Sequence, residues 1–78
     1  MSEQVWVGKM IRFHRKIAGI SQQELAKLAG VGKTVVFDAE QGKATLRLST
    51  LRKILGVLNI TLEFQSPLMK FFYEEQSR

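Results

Sequence analysis

The stretch from Gly19 to Gly42 constrains this chain most, because glycines at 19, 30 and 42 cut it into two short runs of helical length. Glycine reaches the left-handed dihedrals that end helices without a steric penalty. Ser21 precedes Gln22-Gln23-Glu24, so its hydroxyl can cap a helix while Glu24, three residues on, returns a bond to the cap's own amide. Leu25, Ala26, Leu28 and Ala29 give this helix an inner face, and Val31 plugs the turn that follows. A further helix is expected from about Lys33 to Gln41, with Val35, Val36 and Ala39 inward and Lys33, Thr34, Phe37, Asp38 and Gln41 outward. A helix held this way, showing donors, an acceptor and an aromatic ring, has the form that enters a DNA major groove.

The flanks complete a small helical body. Apolar residues at 7, 10, 11, 17 and 18, with His14 among them, predict an amphipathic helix from Val7 to Ala18, stopped by Gly19, with Lys9, Arg12 and Lys16 on its far side. Ser49 is read as the cap of a fourth helix, Thr50 to Leu58, whose Leu51, Ile54, Leu55 and Leu58 complete the core, and Asn59 as its stop. The period then changes to two: Ile60, Leu62 and Phe64 alternate with Thr61, Glu63 and Gln65, which predicts a strand over about 60–65. An isolated strand leaves its backbone unpaired, so the expectation is a homodimer in which Ile60, Leu62 and Phe64 dimerise two copies. In the tail, 66–78, Pro67 opens a short helical segment, Leu68 to Glu75, whose Phe71, Phe72 and Tyr73 are expected to pack on the dimer or on a partner.

Length allows one domain, residues 1–78. Residues 1–60 hold ten Lys or Arg against four acids, net +6, whereas residues 61–78 are net −1, so the positive field belongs to the helical body. Such a field attracts polyanions, nucleic acid first. There is no cysteine, which removes disulfides, thiolate nucleophiles and the usual structural zinc ligands. No metal and no cofactor is expected. No apolar run approaches the ~20 residues that span a bilayer, and the beginning of the chain is not of signal-peptide type. The expectation is a cytoplasmic protein that does not engage membranes. Nothing converges as nucleophile, base and oxyanion site, and a body this small has little room for a substrate pocket, so no enzyme is expected. His14 reads as a structural histidine.

Two sets of side chains follow from the groove-reading arrangement. Lys33 can donate to guanine or to a phosphate, Thr34 can bond a base or meet a thymine methyl, and Phe37 can pack on thymine methyls. Asp38 either accepts from cytosine or repels the wrong phosphate register. Gln22 and the amides at the start of its helix, with Gln23 and with Lys43, Thr45 and Arg47 in the connector, can hold phosphates, and Gln23 can otherwise touch a base or brace the next helix. A pure protein-interaction module is the alternative class, with the bundle as scaffold and the C-terminal aromatics as contact surface.

Residues 11–43, from Ile11-Arg-Phe-His-Arg-Lys-Ile-Ala through Ser-Gln-Gln-Glu-Leu-Ala to Glu-Gln-Gly-Lys43, resemble the phage Cro and repressor type of helix–turn–helix, the XRE family. With Leu51-Arg-Lys-Ile-Leu-Gly-Val-Leu-Asn-Ile60 and the strand pattern included, the chain is similar to HipB-type antitoxins over about residues 7–65. The resemblance implies a mostly α, lambda-repressor-like bundle of four helices, a C-terminal strand pairing across a two-fold axis, and the short helical segment after it. It also implies binding of a palindromic double-stranded operator, repression of its own operon, and a HipA-like kinase toxin as partner. A phage or restriction-modification controller without a toxin is the other regulator of this type. Arg15 and Glu40 occupy the positions where the family places a buried ion pair, and Lys33, Thr34 and Phe37 the face that meets bases. Gly32 stands where a polar residue is usual, and Phe37 where a small polar one is common.

Overall fold

The computed structural model describes residues 2–43 and 45–77. They form five helices: α1 (Glu3–Ala18), α2 (Gln22–Ala29), α3 (Lys33–Gln41), α4 (Leu48–Val57) and α5 (Met69–Gln76). The count of four is therefore extended by one, because the C-terminal segment is itself an α-helix. α1 packs on α3, and α2 packs on both α3 and α4. Ile11, Leu25, Val36 and Ile54 are fully buried where these four helices meet, with Ala26, Ala29, Ala39 and Leu55 filling between them.

Local chemistry sets most boundaries. Ser21 and Glu24 form a reciprocal capping box, Ser21 N–H donating to Glu24 Oε1 at 3.0 Å and Glu24 N–H to Ser21 Oγ at 3.0 Å. Gly19, Gly30 and Gly42 each take left-handed dihedrals at the ends of α1, α2 and α3. The Ser21 amide, then its hydroxyl, holds the Glu24 carboxyl below the ordinary carboxylate pKa. The box is therefore complete above that ordinary range and weakens as pH falls through the lowered value. Ser21→Ala is expected to cost about 1 kcal/mol, seen as a midpoint about 4–8 °C lower in a thermal melt; an unchanged midpoint would argue against the box as a stabilising device.

Several expectations need correction. α1 begins at Glu3, not Val7, because Ser2 caps it, its Oγ accepting from Val5 N–H at 3.2 Å. The buried line of α1 is Gly8, Ile11 and Arg15, whereas Ile17 is 72% exposed and Ala18 is exposed. Ile17 lies about 120° around the helix from Ile11 and cannot share its contacts. Leu28 is likewise outside the core of α2, at 65% exposure. Ser49 does not cap α4: the extended residue is Arg47, whose carbonyl takes the Leu51 N–H at 3.0 Å, so Ser49 sits inside the first turn. Asn59 does end that helix, with φ 58°.

Residues 60–65 form no strand among the described residues. A strand exists only as a rung of a ladder, and the described residues offer no neighbouring strand to pair with. Ile60 and Leu62 turn inward and pack against the bundle, while Phe64 is 54% exposed. No helix of the described residues is long and apolar enough to cross a membrane.

Candidate nucleic-acid interface

The exposed face of α3 is held from behind by one carboxylate. Glu40 Oε2 accepts from Arg15 Nε at 2.6 Å and Oε1 from Arg15 Nη2 at 3.0 Å, a two-pronged ion pair with side-chain exposures of 8% and 1%. The remaining Arg15 nitrogen, Nη1, donates to the Ile20 carbonyl at 2.9 Å, and Gln22 Nε2 donates to Glu40 Oε1 at 3.1 Å. α1, the turn, α2 and α3 are thus fastened at a single point. The Glu40 hydrogen bond holds the Arg15 guanidinium above its usual pKa, partly offset by burial. Its charge is spent inside the fold and does not add to the outer field.

A second fixing point is steric. Gly8 carries α1 so close to α3 that a Cβ there would lie 2.5 Å from the Ala39 carbonyl oxygen and 2.6 Å from that of Glu40. Only a residue without a side chain permits this backbone contact.

In front of this framework, Lys33 and Thr34 in the first turn of α3 are exposed, Phe37 is 43% exposed, and Asp38 is half-buried. Gly32, the residue before α3, supplies no side-chain cap. The first-turn amides of Lys33 and Thr34 therefore carry no hydrogen bond among the described residues. At α2 the capping box uses the amides of Ser21 and Glu24 and leaves those of Gln22 and Gln23 open among the described residues. Open amides at a helix start, at its positive dipole end, suit an anion. Lys33, Lys16, Gln22, Gln23 and Ser21 line one open polar cleft. Lys43 Nζ sits 5.8 Å above the Phe37 ring, a cation–π contact that joins the connector to the α3 face.

The helix-turn-helix family model (HTH_3) matches residues 11–65, more than two thirds of the chain. The chain belongs to the helix-turn-helix family. Within it, the chain is similar to an uncharacterised HTH-type transcriptional regulator, y4mF, of Sinorhizobium fredii, 33% identical over 61 residues that cover 78% of this chain and 80% of the relative. It is also similar to an uncharacterised HTH-type transcriptional regulator, YazB, of Bacillus subtilis, 28% identical over 67 residues covering 86% and 96%. This membership places the chain with helix–turn–helix proteins and not with enzymes.

On the helix–turn–helix frame, Lys33, Gln22 and Gln23 come together in the polar cleft, and Lys43 joins Phe37. Arg47 is exposed at the start of α4. Thr45 is exposed too, but opens onto a different, mainly apolar groove with Glu3, Gln4, Val7, Leu46 and Leu51. His14 is half-buried and its Nδ1 lies 2.7 Å from the Met10 carbonyl oxygen, an intrahelical partner. Two residues escape the sequence reading. Lys16, read there as part of the far side of α1, lines the polar cleft. Gly8 brings α1 onto α3, and its signal was present: a glycine at helical spacing from Ile11 and Arg15.

Proposed function

We propose that the protein is a dimeric, sequence-specific DNA-binding transcriptional regulator that inserts α3 into the major groove of a palindromic operator. The observation that carries this reading is the Arg15–Glu40–Gln22 fastening, which holds α3 rigidly from its hidden side while Lys33, Thr34 and Phe37 stay outward. The family match and the regulators it resembles support it. Gln22 keeps one amide hydrogen beyond the one given to Glu40 and offers it to a phosphate. Gln23, Lys16 and Lys43 add phosphate contacts, with Thr45 and Arg47 further along the connector, and Asp38 completes the base-facing set.

The operator's symmetry requires a second copy, with recognition helices about 34 Å apart. The backbone of 61–65, which makes no backbone hydrogen bond among the described residues, supports pairing of this segment across a two-fold axis, with the exposed Phe64 at the seam. The finer role is that of a HipB-type antitoxin which represses its own operon in the cytoplasm and binds a HipA-like kinase toxin. Co-purification with the kinase encoded by an adjacent gene tests that role, and its absence sinks it without touching DNA binding.

A gel-shift series on the DNA upstream of the gene tests the core reading. Lys33→Ala is expected to cost about 1–3 kcal/mol on the operator and to relax one base position. Lys16→Ala should weaken all sequences alike and lower the salt slope by about 1. A uniform loss from Lys33→Ala would reassign that lysine to phosphate, and no salt-sensitive complex with the unsubstituted protein would defeat the function itself.

A further inference from the structure

We propose that α5 of one copy docks on the outer face of α1 of a second copy, reciprocally about the two-fold axis. Trp6, Met10, Phe13 and Ile17 repeat along α1 at four-three-four spacing and fall within a wedge of about 60°, well away from the Ile11 line that faces the core. Three of the four are more than half exposed, Trp6 59%, Phe13 62% and Ile17 72%, while Met10 is partly buried against the core. A helix carries one apolar face for its own core, and a second continuous one needs a second helix.

α5 is the matching piece. It has eight residues, no side-chain cap and no buried residue, and it is not among the packed helix pairs. Helices this short are marginal in water without tertiary support. Its Phe71, Phe72 and Tyr73 are 60%, 53% and 59% exposed, and Glu74 and Glu75 sit in its last turn, the wrong end for the helix dipole. A surface that supports it must therefore be apolar with cations alongside. Lys9 borders one edge of the α1 stripe, with Lys16 and Arg12 further round on that side, all exposed, whereas Glu3 stands at the other edge in the first turn; the acidic end of α5 is therefore matched along the lysine edge.

α5 is not packed extensively on the chain's own α1. The radius of gyration is 14.5 Å, against about 11.5 Å for a compact chain of this length, which fits a C-terminal segment reaching away from its own bundle. Buried aromatics contribute about 150–250 Å² each. Two reciprocal contacts, each covering three large side chains per helix that are already partly buried, reach about 1,200 Å², the lower edge of stable interfaces. Trp6 and all of α5 lie outside the residues that match the family. The inference needs the second copy of the proposed dimer, but neither the pairing of 60–65 nor DNA.

The absence of cysteine makes a clean test possible. Full-length Phe13→Cys is mixed under oxidising conditions with Phe71→Cys, Phe72→Cys or Tyr73→Cys, each checked by circular dichroism for an intact fold. A disulfide-linked pair is expected in at least one mixture at a yield well above that of any single variant alone. Sedimentation of cysteine-free protein runs in parallel, and there Phe13→Glu is expected to weaken the dimer about 10- to 100-fold. A dimer by sedimentation with no cross-link in any mixture overturns this docking and leaves the dimer standing. A monomer by sedimentation overturns both. A cross-link confined within one chain of a doubly substituted protein shows α5 folding back on its own α1, and also overturns it.

Discussion

Glu40→Ala is expected to bring the domain close to unfolding, at a cost of about 3–5 kcal/mol, because it leaves the Arg15 guanidinium buried and uncompensated. A chain of this length has about 4–12 kcal/mol in all, so a thermal melt should drop by about 15 °C or more. Three hydrogen bonds fail together, since Gln22 loses its acceptor and Arg15 is then tied only to the Ile20 carbonyl. The companion variant Arg15→Met with Glu40→Leu removes both charges at similar volume and should recover most of the lost stability. It should not recover operator affinity, because Gln22 has nothing to orient it. Melts and gel shifts on the two variants separate the roles. If Glu40→Ala melted within about 4 °C of the parent, or less than 1 kcal/mol away, the pair would be ornamental.

Gly8→Ala carries the second large effect. Alanine normally improves a helix interior by about 0.5–1 kcal/mol over glycine. Here its Cβ meets two backbone oxygens of α3 at 2.5 and 2.6 Å, and backbone atoms cannot rotate away as a side chain would. α1 and α3 must separate, at about 1–3 kcal/mol net. Because the displaced helix is the one proposed to read DNA, affinity should fall by more than stability predicts. Gly56→Ala, in α4, is the matched control: nothing lies within 4 Å of the added Cβ, so the same exchange should be neutral or slightly stabilising. Equal effects at the two positions, measured by urea titration, would falsify the close approach.

What could be read from the sequence divides along the range of the interaction that decides it. α2 and α3 have the expected bounds because a capping box and three left-handed glycines fix them within a few residues. α4 starts earlier than serine's capping preference for Ser49 predicts, because the backbone of Arg47 already turns into the helix. α1 carries two apolar stripes, which periodicity alone merges: it groups Ile17 with Val7 and Ile11, although Ile17 belongs with Trp6 and Phe13. The close approach at Gly8 is a contact between residues more than thirty apart in sequence, and no local pattern announces which neighbour it serves. Residues 60–65 have the alternation of a strand, but alternation specifies a face and not a partner. The cleft shared by Lys16 and Lys33 arises only once α1 and α3 are folded together.

Among the described residues, the side chains that hold α3 in place lie on its concealed side: Glu40 through its hydrogen bonds and Val36 and Ala39 through packing, with the glycines that bound the helix. Lys33 and Thr34 carry no structural duty, and Phe37 carries one cation–π contact to Lys43. Stability and the proposed readout are therefore written on opposite sides of one nine-residue helix. Descendants of such a gene can drift at the outward positions without paying in folding, so a duplicated copy can acquire a new operator by a handful of substitutions while its scaffold stays the same.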